Sequence, residues 1–400
     1  MGWAERLAFA RMRAATFFAG RAIARSAARA ARHAPPPAAG PLRVMMLASQ
    51  PEGHAATRHR LLIWADRLRR EGHTVEVFLP AEGDEGERLF RWDTPSVRAK
   101  YHAQSLASRR RAVAAAPAFD VAVIHMNDVP AWEYGPPFVA EALVRTAGRV
   151  LLDLDDLPVV RGESAPGPRA RRLAETVDGL ILGNGELASW FPGRPSWVVP
   201  TCVDVDAWPA RDPASRSGPP LLGWIGTAGR LPSLDALAPV LAAACARHGA
   251  RVRVICDAAP ALSGVPVEFV PWRAGSEPEH LADVDVGLAP LEDTPVARCK
   301  CGLKAIEHAA SASAVVASPV GSLRDIVAHG ETGLLASGAA EWAAALDELL
   351  GDPARRVRMG ATARAMAASR WSPSAHAAEF EGALRGGNSP FSSREPGSRR

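Results

Sequence analysis

The stretch that most constrains this chain is residues 285–335, which opens DVGLAPLEDTPVARCKCGLKAIEHAASASAVVASPVG. Asp285 to Ala289 and Ala314 to Ala317 are short apolar runs with the length of buried strands. Pro290 and Pro295 punctuate a loop from Pro290 to Cys301, and Gly302 opens a helix to about Ala310. Pro319-Val320-Gly321 then turns the second strand into a helix from Ser322 to Ala328. Strand, loop, helix, strand, loop, helix is α/β architecture.

The first strand-to-helix junction concentrates chemistry. A helix N-terminus exposes backbone N–H groups and a partial positive charge, which suits a phosphate. Gly302 allows close approach to the backbone. Lys300 and Lys304 add full charges, and Glu307 supplies an acceptor suited to a pair of ribose hydroxyls. On spacing alone the same residues also fit a plain βα unit with a solvated Lys304–Glu307 pair.

From Asp285 to Ala336 the chain resembles the donor-binding segment of retaining GT-B glycosyltransferases, glycosyltransferase family 4. More narrowly, it resembles a branch reading DVGLxPLxDTPxxRxKCGxKxxEx, then a small-residue run, then VVASPVGxxxxIVxHGxxGxLA. The resemblance implies that Glu307 contacts the nucleotide ribose and that the loop before it holds the diphosphate and sugar. Many members carry an earlier Glu eight residues before the second. Cys299 stands there in this chain, so that residue's donor-sugar contacts do not transfer.

A chain of 400 residues suits two domains. The formal charge of +4 is unevenly spread: residues 1–40 hold seven Arg against one Glu, and residues 386–400 three Arg against one Glu. The remaining body is therefore about −4, which does not suggest nucleic-acid binding. Five cysteines without CxxC spacing argue against a disulfide framework or zinc site and for reduced thiols in a cytosolic compartment.

Residues 1–40 are rich in Ala and Arg, with Arg21, Arg25, Arg29 and Arg32 on one helical stripe and no run able to span a bilayer. A disordered extension is the expectation, with a basic helix resting on an anionic membrane surface as the alternative. Arg43 to Ala48, an Arg58 to Glu71 helix and Thr74 to Leu79 form a βαβ unit without GxGxxG. Gly53, His54 and Arg58 border its first strand's end. Asp120 to Ile124 is a strand ending at His125, the edge where open α/β sheets bind ligands. The resemblance supports a sugar contact for His125. Arg149 to Asp153 runs into DLDDLP, where Asp153, Asp155 and Asp156 could meet a metal or acceptor hydroxyls. Metal-binding DxD motifs belong to another glycosyltransferase fold, so Asp155 and Asp156 are taken as acceptor-side or loop-ordering residues. Leu221 to Ile225 leads into Gly226–Arg230, whose small residues expose N–H groups and whose Arg230 adds charge.

The expected fold is α/β and GT-B: two Rossmann-like domains facing each other across a cleft, with a C-terminal helix returning to the first. The expected divisions are a basic extension 1–40, an acceptor-side domain 41–208, a linker 209–220, a nucleotide-sugar domain 221–372, a returning helix 373–385 and a disordered tail 386–400. The resemblance implies sugar transfer with retention from a UDP-, GDP- or other nucleoside-diphosphate donor to a glycan, lipid-linked or small-molecule acceptor, without metal or cofactor. Lys300, Arg230 and His125 are the expected catalytic residues. Thr227, Gly302, Leu303, Lys304 and Glu307 are the expected donor contacts, and Asp155, Asp156 and Arg58 the acceptor side. A cytoplasmic site, peripheral to the inner membrane face, is expected. A non-catalytic GT-B scaffold and a nicotinamide-dependent oxidoreductase, with Asp257 as ribose acid, remain as rivals.

Overall fold

The structure, a computed structural model, describes residues 3–30, 34–91, 94–130, 132, 134–160, 163–209 and 218–389. Most of the expected linker (210–217) and of the expected tail (390–400) lies outside the described residues. The chain forms two compact units: residues 1–200 with 376–400, and residues 201–375.

The first unit is built on a parallel six-stranded sheet. Its strands are β1 (Arg43–Leu47), β2 (Thr74–Phe78), β3 (Val121–His125), β4 (Arg149–Leu154), β5 (Gly179–Leu182) and β6 (Ser196–Val198), in the order β2-β1-β3-β4-β5-β6. Runs such as Val121–His125 are buried throughout, as strands covered on both faces must be. The chain order reverses beside β1 and β3, so a ligand crevice is expected beyond their carboxyl ends. The helix after β1 differs from the regular one expected from Arg58: it starts as a π-helix, Thr57–Leu62, and becomes α-helical over Ile63–Arg70. The chain re-enters this unit at His376, and Phe380 of the helix Ala377–Arg385 stacks on Trp64 with ring centroids 4.1 Å apart.

The N-terminal segment also differs from the disordered extension expected. Trp3–Arg29 is one continuous helix. Ala8, Met12, Thr16, Ala19, Ile23 and Ala27 are buried along one side. That side packs on the helices Pro95–Ala115 and Phe138–Thr146. Thr16 Oγ1 lies 2.8 Å from the buried His102 Nε2, and Phe9 stacks on Trp132. Burial of this side, not intrinsic periodicity, accounts for its order.

The second unit has a parallel sheet of β7 (Leu221–Ile225), β8 (Arg251–Cys256), β9 (Val267–Pro271), β10 (Val286–Ala289), β11 (Ala314–Ala317) and β12 (Gly333–Leu335), ordered β12-β11-β10-β7-β8-β9. Alternate residues feed two cores. Leu222, Val254 and Val316 join Leu241, Trp342 and Leu346 in one, while Leu221, Ile255 and Val315 join Ile306, Leu323 and Ala363 in the other. The order reverses between β7 and β10, which puts the Gly226–Arg230 loop and the Pro290–Cys301 loop at one switch point.

Candidate active site

At the β10 side of that switch point, the loop expected to be irregular contains a short helix, Pro295–Arg298. Thr294 Oγ1 caps it by accepting from the Ala297 N–H at 3.1 Å. Leu291 N–H donates to Ser318 Oγ at 3.0 Å, and Arg298 pairs with Asp293 at 2.6 Å. The Lys300 N–H donates to the Ala297 carbonyl at 3.1 Å, leaving its side chain half-buried just before the next helix, Leu303–Ala310.

Gly302 makes that entry. Its φ of +67° lies in the left-handed region, and an added Cβ would sit 2.4 Å from Ile326 Cδ1. A side chain there would be both strained and crowded. Glycine also provides no cap, so the first-turn N–H groups of Leu303, Lys304 and Ala305 have no side-chain acceptor from the N-cap position.

One turn on, Glu307 is completely buried, with Oε2 3.3 Å from Lys304 Nζ. The pair is therefore not the solvated one that spacing alone allowed: only Lys304 reaches the surface. His308 is also fully buried, and packs so closely on β10 that a Cβ at Gly287 would lie 2.3 Å from its Cγ. Burial first, and the Lys304 charge second, push the His308 imidazole down to about 3. Sequence reasoning missed His308; a glycine inside a strand was the signal for a close approach.

On the β7 side, Ala228–Arg230 forms a single 3-10 turn after Thr227. The Ala228 N–H donates to Asp257 Oδ1 at 2.6 Å, and the Arg230 N–H to the Thr227 carbonyl at 2.8 Å. Asp257 thus holds the loop and does not stand as a free ribose acid. Thr227 and Arg230 are exposed. Thr227, Arg230, Lys300, Gly302, Leu303, Lys304 and Glu307 all belong to loops or helix starts at this one switch point.

In the first unit, His125 ends β3 fully buried, with Nε2 3.2 Å from Asp155 Oδ1. Burial alone would raise the Asp155 carboxyl. The hydrogen bond and charge of His125, with Arg60 and His54, outweigh it and hold the group down to about 2. The Ser49 hydroxyl donates to the His125 carbonyl, and Met126 follows with a φ of +58°. This strained turn at a strand end is where ligand sites concentrate.

The remaining expected residues fall around this pair. Asp156 Oδ1 accepts the Leu157 N–H at 2.9 Å, an ordering contact within its own loop. Arg58 Nε donates to the Gly53 carbonyl at 3.1 Å and so braces the loop after β1. Asp153 separates from the carboxylate cluster that the motif suggested. It lies in a buried ion pair with Arg60, whose Nε is 3.1 Å from Oδ2 and whose Nη1 donates to the Val199 carbonyl at 2.6 Å. Arg60 was not singled out from sequence, because nothing local distinguishes it from the other arginines of its helix.

The two sheets and their strand orders are those of a GT-B glycosyltransferase fold, two Rossmann-like units on parallel six-stranded sheets. Residues 220–352 match the family model described as glycosyl transferases group 1. The chain is 34% identical over 207 residues to a D-inositol 3-phosphate glycosyltransferase of Nocardia farcinica, covering 46% of this chain and 45% of that protein. It is 30% identical over 263 residues to the protein of that name from Corynebacterium kroppenstedtii, covering 56% and 58%. The chain thus spans about half the length of the curated relatives it matches. Among solved structures, Anabaena HepE in complex with UDP and glucose superposes with a TM-score of 0.60 at 15% identity, covering 86% of this chain and all of that one. Sucrose-phosphate synthase from Thermosynechococcus elongatus gives 0.60 at 17%, covering 86% and 98%. Among the described residues no helix is long and apolar enough to cross a membrane.

Proposed function

We propose that this chain is a retaining glycosyltransferase of family 4 that moves a sugar, of hexose type, from a nucleoside-diphosphate sugar to an acceptor in glycan synthesis. The observation that carries the reading is the gathering of Lys300, Gly302 and Glu307 around one helix start at the switch point of the second unit. The names of the Nocardia and Corynebacterium relatives support it, as does the UDP and glucose held by the Anabaena neighbour.

In this mechanism the bond between the anomeric carbon and the diphosphate oxygen breaks, and negative charge grows on the leaving diphosphate. Lys300, Arg230 and the N–H groups from Leu303 onward neutralise it, a preorganised electrostatic role that needs no metal. Glu307 accepts from the ribose hydroxyls, and Thr227 and Lys304 complete the donor contacts. In the first unit His125, oriented by Asp155, is assigned to the transferred sugar, with Asp155, Asp156 and Arg58 on the acceptor side. The acceptor is a glycan, a lipid-linked sugar or a small molecule, and the reaction is placed on the cytoplasmic face.

A panel of UDP-, GDP- and ADP-sugars, followed for release of free nucleotide in the presence and absence of EDTA, tests the proposal. The expected result is release from one nucleotide class, unaffected by chelation. Release restored only by magnesium or manganese would overturn the metal-free mechanism. Nucleotide binding without release across the panel and its acceptors would favour a non-catalytic scaffold, the reading that Cys299 allows.

A further inference from the structure

We propose that the outer face of the N-terminal helix is a docking surface for an anionic lipid bilayer. The helix Trp3–Arg29 has 27 residues and is therefore about 40 Å long. Its inner side is consumed by packing on the first unit. At 100° per residue, Trp3, Leu7, Ala14, Arg21 and Arg25 lie opposite that buried side, with Phe17 and Phe18 flanking them. Large apolar groups belong inside, yet Trp3 is 78% exposed, Phe17 58% and Phe18 69%. Between them Ala10 and Ala14 leave a shallow open groove of about 420 Å³, lined also by Phe9, Arg13, Phe17 and Phe18.

Charge selects the occupant. The helix carries Arg6, Arg11, Arg13, Arg21, Arg25 and Arg29 against Glu5 alone, a balance of +5. The Arg21 guanidinium lies 5.6 Å from the Phe17 ring centroid, so cation and aromatic face outward together. Arginines beside exposed aromatics match an interface of anionic headgroups above acyl chains, and small residues between bulky ones leave room for a chain. Because packing on the first unit already orders the helix, docking carries no further cost of folding it.

Cosedimentation of the full chain with vesicles of phosphatidylcholine, with and without phosphatidylglycerol, tests this. Binding to the anionic vesicles should need at least tenfold less lipid, and should weaken as salt rises because surface attraction is screened. Phe17→Ser/Phe18→Ser should weaken binding about tenfold by removing buried apolar area. Arg21→Glu/Arg25→Glu should weaken it by at least about tenfold on anionic vesicles alone. All four side chains are exposed, so an unchanged melting temperature verifies the fold of each variant. Equal binding to both vesicles, variants that bind as the parent does, or self-association in solution abolished by Phe17→Ser/Phe18→Ser would each overturn the proposal. The assay contains neither donor nor acceptor, so its failure leaves the donor-site reading intact.

Discussion

Glu307→Gln separates a binding role from a structural one. Glu307 is fully buried and pairs with Lys304 at 3.3 Å, whose side chain is 35% exposed. Neutralising the carboxylate leaves Lys304 able to turn to water. The change is nearly isosteric, so the cores on either side of β10 and β11 keep their shape. Donor binding is a different matter. A carboxylate accepting from ribose hydroxyls contributes about 1–3 kcal/mol, so Kd should rise about fivefold to 150-fold. Calorimetric titration with UDP, GDP and ADP identifies the nucleotide; repeating it with that nucleotide's 2′- and 3′-deoxy forms closes a double-mutant cycle. If Glu307 holds the ribose, the losses from mutation and from deoxygenation must be strongly non-additive. Unchanged affinity, or losses that add, would refute the ribose assignment and reduce Glu307 to the partner of Lys304.

Lys300→Ala should lower kcat more than it raises donor KM, by about 100-fold or more, because its contact strengthens as diphosphate charge develops; steady-state kinetics showing a KM effect alone would reassign it to ground-state binding. Lys304→Ala, the internal control, should act on KM at least as much as on kcat. The pH dependence of stability should bear the mark of His308, held neutral near pKa 3, and of His102, pushed down to about 4 by burial first. The unfolded chain binds these protons from about pH 6.5 downward while the folded chain does not, so their stability is present above that pH and is lost as pH falls. His308 alone should cost about 2 kcal/mol at pH 5, read as a shift of the urea midpoint from its pH 7 value; a flat midpoint contradicts a buried neutral imidazole. Removing residues 1–30 should destabilise the first unit by about 3–6 kcal/mol, the burial of Met12 and Ile23, and leave His102 without Thr16; an unchanged calorimetric transition would show that the helix is dispensable.

Strands were the most legible part of this sequence. Leu221–Ile225 and Ala314–Ala317 end where their apolar runs end. A strand buried on both faces announces itself by composition alone. Gly302 likewise marked the start of the Leu303–Ala310 helix, because a left-handed entry is a local requirement. The N-terminal helix was not legible. It carries two apolar stripes, Ala8, Met12, Ile23 and Ala27 inward and Trp3, Phe17 and Phe18 outward, so the apolar and basic residues do not segregate and periodicity blurs. Which stripe is core depends on the surface of Pro95–Ala115, far along the chain. The carboxylate motif was ambiguous for the same reason. Asp153, Asp155 and Asp156 look alike in sequence, and contacts with Arg60, with His125 and with the Leu157 backbone give them three different roles. Local sequence determined where the chain is extended, where it turns and which groups it offers. Only tertiary structure decided which of those groups meet, since pairs such as Arg60 and Asp153, 93 residues apart, are selected by sheet order and burial and by nothing in their own neighbourhoods.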